Sequence, residues 1–143
     1  MGKPETDDRF KKFGTVSFTA ISKTNDFIAH LEEGRVMGTK CAGCGALYFP
    51  PRSDCQQCMT STMEWFEVAG TGKLAACSEL IFGPVGFEED LPYTIAVLDY
   101  GGYKVFGRIA KGIPYDELKV GMELRTRSNT LGSGQLNYVF DKP

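Results

Sequence analysis

The sequence predicts a mainly β protein in three parts: an N-terminal strand and helix, a four-cysteine zinc ribbon, and a C-terminal small barrel like the OB-fold. Three observations carry this. Two C-x-x-C pairs, Cys41/Cys44 and Cys55/Cys58, are separated by ten residues. Seventeen glycines, ten phenylalanines and six tyrosines in 143 residues suit short aromatic-rich strands joined by tight turns. Beyond residue 63 the runs read strand, strand, hairpin, short helix, strand, strand, the outline of a Greek-key barrel. The expected parts are 1–34, an extension and helix; 35–63, the ribbon; and 64–143, the barrel. A ribbon of this size buries too little apolar surface to stand alone, so its metal must supply the missing stability.

Each C-x-x-C pair bends back so that two thiolates meet one ion, and two pairs complete a tetrahedral all-sulfur site with no open position. Such a site is structural. Zinc is the favoured metal, and iron at the same four ligands is the alternative, because tetrahedral sulfur ligation alone does not choose between them. The chain opens on polar residues with no apolar signal segment, so a reducing, cytoplasmic setting is expected and argues against disulfides. A thioredoxin-type motif would need one C-x-x-C in a βαβ pattern, which surrounds neither pair.

Residues 1–12 read as a polar lead-in. Residues 15–21 alternate, with Val16, Phe18 and Ala20 on one side and threonine or serine on the other, as a half-buried strand does. Thr24 or Asn25 is placed to cap a short helix whose apolar stripe is Phe27, Ile28 and Leu31, and Gly34 to end it. The single histidine, His30, has no neighbouring acid or second ligand and reads as a packing or surface residue. Residues 35–40 form a strand into the first knuckle. Leu47, Tyr48 and Phe49 form another over the metal, stopped by Pro50 and Pro51.

The barrel region opens with a strand at 64–68, a bulge or bend at Gly70-Thr71-Gly72, and a continuation over 73–81. Cys77, on that run, reads as a small buried hydrophobe. Residues 82–92 mix Phe82 and Phe87 with three consecutive acids and two prolines. This loop either caps the barrel or forms a contact surface. Strands at 93–99 and 103–110 join across Gly101-Gly102 as a hairpin. A helical turn at 113–118 and strands at 120–127 and 136–140 complete the chain.

A net charge of −2 and a pI near 5.4 give no global attraction to nucleic acid, and no run of 18 or more apolar residues suggests a membrane span. One histidine, no G-x-S-x-G elbow and no base to activate Cys77 leave little equipment for acyl chemistry. Zinc ribbons and OB-folds also recur in nucleic-acid binding, which is the alternative function. Its aromatics, Trp65, Phe66, Tyr93, Tyr100 and Tyr103, are interspersed with acids. The best basic pair, Arg125 and Arg127, suits phosphates, a partner's acids or water equally.

The helix ending in Leu31-Glu32-Glu33-Gly34, the segment Cys41-Ala42-Gly43-Cys44-Gly45 followed by Tyr48-Phe49-Pro50-Pro51-Arg52, and Cys55-Gln56-Gln57-Cys58 together resemble a known family. So do Gly70-Thr71-Gly72, the run from Pro92 to Asp99, Gly107-Arg108-Ile109 and Val120-Gly121-Met122. This is the rubredoxin-like zinc-ribbon plus OB-fold family catalogued as domain of unknown function 35, associated with acyl-CoA metabolism. The resemblance covers residues 25 to the C-terminus. It implies an accessory subunit, not catalytic alone, in a hetero-oligomer with a thiolase-like catalytic subunit, whose OB portion helps form or gate a CoA or acyl channel. The implied ligands are structural zinc at Cys41, Cys44, Cys55 and Cys58 and, as a possible second one, a CoA thioester. The candidate contacts are Phe82, Phe87, Arg125 and Arg127. Residues 15–21 precede the resemblance and suit a docking extension.

Overall fold

The computed structural model describes residues 9–15 and 24–143. The strand expected over 15–21 therefore lies, Thr15 apart, outside the described residues. A 3₁₀ turn at Arg9–Lys12 leads to Phe13, which bridges in parallel to Leu136.

Helix α1 (Asp26–Glu32) buries Phe27, Ile28 and Leu31, the stripe that its apolar spacing requires. Its C-terminus closes as a Schellman motif: Arg35 N donates to His30 O at 2.8 Å and Gly34 N to Leu31 O at 3.0 Å, with Gly34 at φ +83°. Of the two caps expected, Asn25 does not act through its side chain. Asn25 has helical dihedrals and makes no side-chain cap bond, because such a cap needs an extended backbone at that residue. Phe27 N and Ile28 N instead donate to the carbonyls of Thr24 and Asn25.

Strands β1 (Met37–Cys41), β2 (Leu47–Tyr48) and β3 (Met63–Glu67) form an antiparallel sheet in the order β2-β1-β3. Sequence alternation predicts that β3 opens the barrel, yet it pairs with β1 along its whole length, from Met37 opposite Glu67 to Cys41 opposite Met63. Gly70 at φ +76° turns the chain away before the barrel begins. Close packing holds this sheet together: a Cβ on Gly38 would lie 2.6 Å from both the Phe66 ring and the Tyr48 carbonyl oxygen.

The remaining strands are β4 (Gly72–Leu80), β5 (Tyr93–Asp99), β6 (Lys104–Ile109), β7 (Glu123–Thr130) and β8 (Leu136–Asp141). They close a barrel in the order β4-β5-β6-β8-β7, with β7 returning to β4. All neighbours are antiparallel except β6 and β8, as the five-stranded OB topology requires. The bend at Gly70-Thr71-Gly72 is present, whereas the register irregularity falls between Leu74 and Ala76. At the β5–β6 turn, Gly101 has φ +92° and its N–H donates to Asp99 Oδ1 at 2.8 Å.

Ribbon, helix and barrel share one core. Ile28, Leu31, Val36 and Val68 pack in the same buried cluster as Leu74, Leu98, Val105, Leu124 and Phe140. Two aromatic groups strengthen the junction. Tyr138 on β8 meets Phe49 of the ribbon edge-on at 5.2 Å, Phe27 of α1 at 6.4 Å and Phe13 at 6.5 Å. Phe66 of β3 packs edge-on against Tyr103 at 5.0 Å, and Tyr103 stacks on Tyr100. Burial pushes Tyr138 up to about 12, so its hydroxyl stays protonated and donates to Phe106 O at 2.7 Å.

Gly38→Ala is expected to cost about 1–3 kcal/mol, because the added methyl meets a backbone oxygen that cannot move aside. Denaturant unfolding of the metal-loaded protein measures it.

Candidate metal centre

The two knuckles are one turn used twice. In the first, Cys41 N donates to Ala46 O at 2.9 Å and Gly45 N to Cys41 O at 3.0 Å; in the second, Cys55 N donates to Thr60 O at 2.9 Å and Met59 N to Cys55 O at 3.1 Å. The residue after each second cysteine is left-handed. Gly45 takes that conformation at φ +78°, while Met59 takes it at φ +62°, a geometry costly for a residue with a Cβ.

These turns bring four sulfurs together. All four Sγ atoms lie within 4.8 Å of one another, with Cys41 and Cys58 at 3.4 Å and Cys44 and Cys55 at 3.6 Å. A disulfide would need about 2.05 Å, and all five cysteines are free. Four sulfurs about 2.3 Å from a central zinc sit about 3.8 Å apart, so the donor set fits that ion closely. Cys41 and Cys55 are buried and Cys44 and Cys58 exposed. The four cysteines form a zinc-ribbon site.

Backbone amides aim at the sulfurs. Gly43 N and Cys44 N donate to Cys41 Sγ at 3.3 and 3.4 Å, and Gln57 N to Cys55 Sγ at 3.4 Å. The Cys44 amide, helped by Cys58 and Gly43, holds Cys41 below the usual thiol range. The Tyr48 hydroxyl, then the Cys58 and Gln57 amides, bring Cys55 down to about 6. At Cys44 the Ala46 amide favours the thiolate, but the bond to Cys55 and burial prevail and push it up to about 11. The amide frame thus favours thiolates at the two buried ligands. With its four positions filled by protein sulfur, the centre offers a substrate no coordination site, and its chemistry is folding.

The other residues singled out by sequence fall in different places. Phe82 is exposed in the loop between β4 and β5, whereas Phe87 is half-buried and lies 5.1 Å from the Arg108 guanidinium. Arg125 donates to Lys142 O, and Arg127 to Asp141 Oδ2 at 2.7 Å. His30 packs against Trp65 at 5.1 Å. Cys77 is half-buried against the core rather than within it.

An open apolar groove of about 480 Å³ runs beside that loop, lined by Phe13, Phe87, Ile95, Phe106 and Tyr138 among others. It adjoins a cavity of about 290 Å³, of mixed polar and apolar lining, that is bordered by Lys111 and Arg127, and Tyr93, Arg108, Leu131 and Asn137 line both. Between them Arg108 stacks on Tyr93 at 4.2 Å and pairs with Asp90 at 3.0 Å. Asp90 also accepts from Thr15 Oγ1 at 3.0 Å; desolvation opposes its charge, but Arg108 and Thr15 hold its carboxyl below the ordinary range. Sequence reasoning missed this pair. Asp90 is one of three consecutive acids, and the only signal was Arg108, a charge within a strand whose other residues after Lys104 are apolar or glycine.

Comparison with known proteins agrees with this architecture. Residues 29–64 match the family model described as ChsH2, rubredoxin-like zinc ribbon domain. A DUF35 domain-containing scaffold protein of Methanocaldococcus jannaschii is 33% identical over 62% of this chain and 64% of its own length. One of Pyrococcus furiosus is 32% identical over 65% of this chain and 68% of its own. The chain thus spans about two thirds of these relatives. A solved structure, that of an Ltp2-ChsH2(DUF35) aldolase, superposes with a TM-score of 0.71 at 24% identity, covering 87% of this chain and 98% of that one. A DUF35-family protein of unknown function from Sulfolobus solfataricus does so with 0.53 at 18%, covering 82% and 81%. These two likenesses concern the fold.

Replacing Cys41 or Cys58 by Ser is expected to abolish stoichiometric zinc and unfold β1–β3, because metal binding and ribbon folding are one equilibrium. Elemental analysis and far-UV circular dichroism check it.

Proposed function

The chain belongs to the DUF35 family, and from that membership we propose that it is a non-catalytic scaffold subunit of a thiolase-like acyl-CoA enzyme. In this reading residues 1–34 and 35–63 dock to the catalytic subunit. Residues 64–143 form part of the path taken by CoA or its acyl chain, and their β4–β5 loop also meets the catalytic subunit. The relatives named scaffold proteins support the accessory role. So does the Ltp2-ChsH2(DUF35) aldolase, whose name joins a DUF35 protein to Ltp2.

The observation that carries the proposal is the apolar surface around the β4–β5 loop. Ile81, Phe82 and Val85 are 73%, 81% and 88% exposed, beside a groove lined mainly by aromatic and aliphatic side chains. Exposed apolar residues grouped in this way mark contact sites. The loop is held rather than loose, since Asp90 anchors it to Arg108 of β6. Catalysis is assigned to the partner because the chain's single histidine packs on Trp65 and Cys77 sits in a barrel strand.

The nucleic-acid alternative has less support. A single-strand groove needs cations free to meet phosphates, whereas Arg108 and Arg127 are paired with Asp90 and Asp141.

Affinity purification from source cells tests the proposal. The tagged chain is expected to retain a thiolase-like catalytic subunit, and Phe82→Asp with Val85→Asp to retain at least about tenfold less, as losing central apolar anchors does. Zinc content and thermal unfolding should be unchanged. Equal retention by the variant would remove the loop from the interface. Recovery of nucleic acid that leaves at high salt would overturn the scaffold role.

A further inference from the structure

We propose that Tyr48 is a positioning residue of the metal centre, its hydroxyl donating a hydrogen bond to the metal-bound thiolate of Cys55. The inference rests on the zinc-ribbon site and is independent of the scaffold role. Tyr48 Oη lies 3.2 Å from Cys55 Sγ. A cysteine must lose its proton to ligate a metal, so in the loaded centre the sulfur has nothing to donate. The hydroxyl then has to be the donor.

Cys55 is 1% exposed, so water has little access to satisfy its charge. The Gln57 amide supplies one donor at 3.4 Å, and Tyr48 supplies one from outside the knuckle. Four thiolates and one divalent zinc leave the centre with two negative charges, and a buried anion requires such partners.

The segment after Tyr48 holds the ring in place. Arg52 places its guanidinium 5.4 Å over the Tyr48 ring, and its Nη1 donates to Gln56 Oε1 at 2.7 Å. The Arg52 backbone is bound to β1 at both polar atoms, with its N–H donating to Thr39 Oγ1 at 2.7 Å and Thr39 Oγ1 donating to its carbonyl at 3.0 Å. Thr39 is also the residue paired with Tyr48 across the sheet. One side chain of β1 therefore fixes the backbone of Arg52, Arg52 holds the second knuckle, and Tyr48 aims at that knuckle's buried sulfur. This gives the Pro-Pro-Arg segment a task beyond ending a strand: it returns the chain so that outer partners orient an inner ligand.

Tyr48→Phe keeps the ring and its packing and removes the donor. Loss of an outer-shell partner typically weakens metal binding about 10- to 100-fold, so competition with a chromophoric chelator should show zinc affinity lowered by about 10-fold or more. In the cobalt-loaded protein the sulfur-to-cobalt charge-transfer band should move to longer wavelength, because the sulfur lone pair loses its stabilising proton. Wild-type affinity and an unmoved band in Tyr48→Phe would overturn the proposal. So would lowered affinity with an unmoved band, since that is the signature of packing alone.

Discussion

The convergence of four thiols is the constraint on which the rest of the structure depends. β2 has two residues and β1 and β3 five each, and a sheet this small does not offset its own conformational entropy. The two knuckles close that deficit by converting metal affinity into folding free energy. Their repetition has a visible cost: the second places a methionine where the first has a glycine, in a left-handed conformation that favours glycine.

What makes the metal matter beyond the ribbon is the shared core. β3 continues through Val68 into the cluster that holds Leu74 and Phe140, so the ribbon's last strand ends inside the barrel's foundation. Phe49 and Phe66 extend the same coupling through aromatic contacts to Tyr138 and Tyr103. Gly107 permits it from the barrel side: a Cβ there would lie 2.8 Å from the Tyr138 ring. The groove also rests on Tyr138, which places a proposed contact surface and the ribbon on two sides of one side chain.

Much of this is legible in the sequence, for reasons that differ by element. The knuckles are legible because ligand geometry demands C-x-x-C, and α1 because burial of one face demands Phe27, Ile28 and Leu31 at helical spacing. β3 is legible as a strand but not in its neighbour, since alternation marks a strand and says nothing of its partner. The Asp90–Arg108 pair and the Tyr48–Cys55 contact are not legible. Both join residues far apart in the chain or on separate elements, and only the fold brings them within hydrogen-bond reach.

The metal-built ribbon and the barrel behave as one mechanical unit, and hydrogen exchange before and after zinc removal by a chelator tests this. Protection should fall in β1–β3 and also in α1 and the strands that meet Val36 and Val68. Loss confined to β1–β3, with α1 and the barrel as protected as before, would contradict it and leave the ribbon an independent appendage.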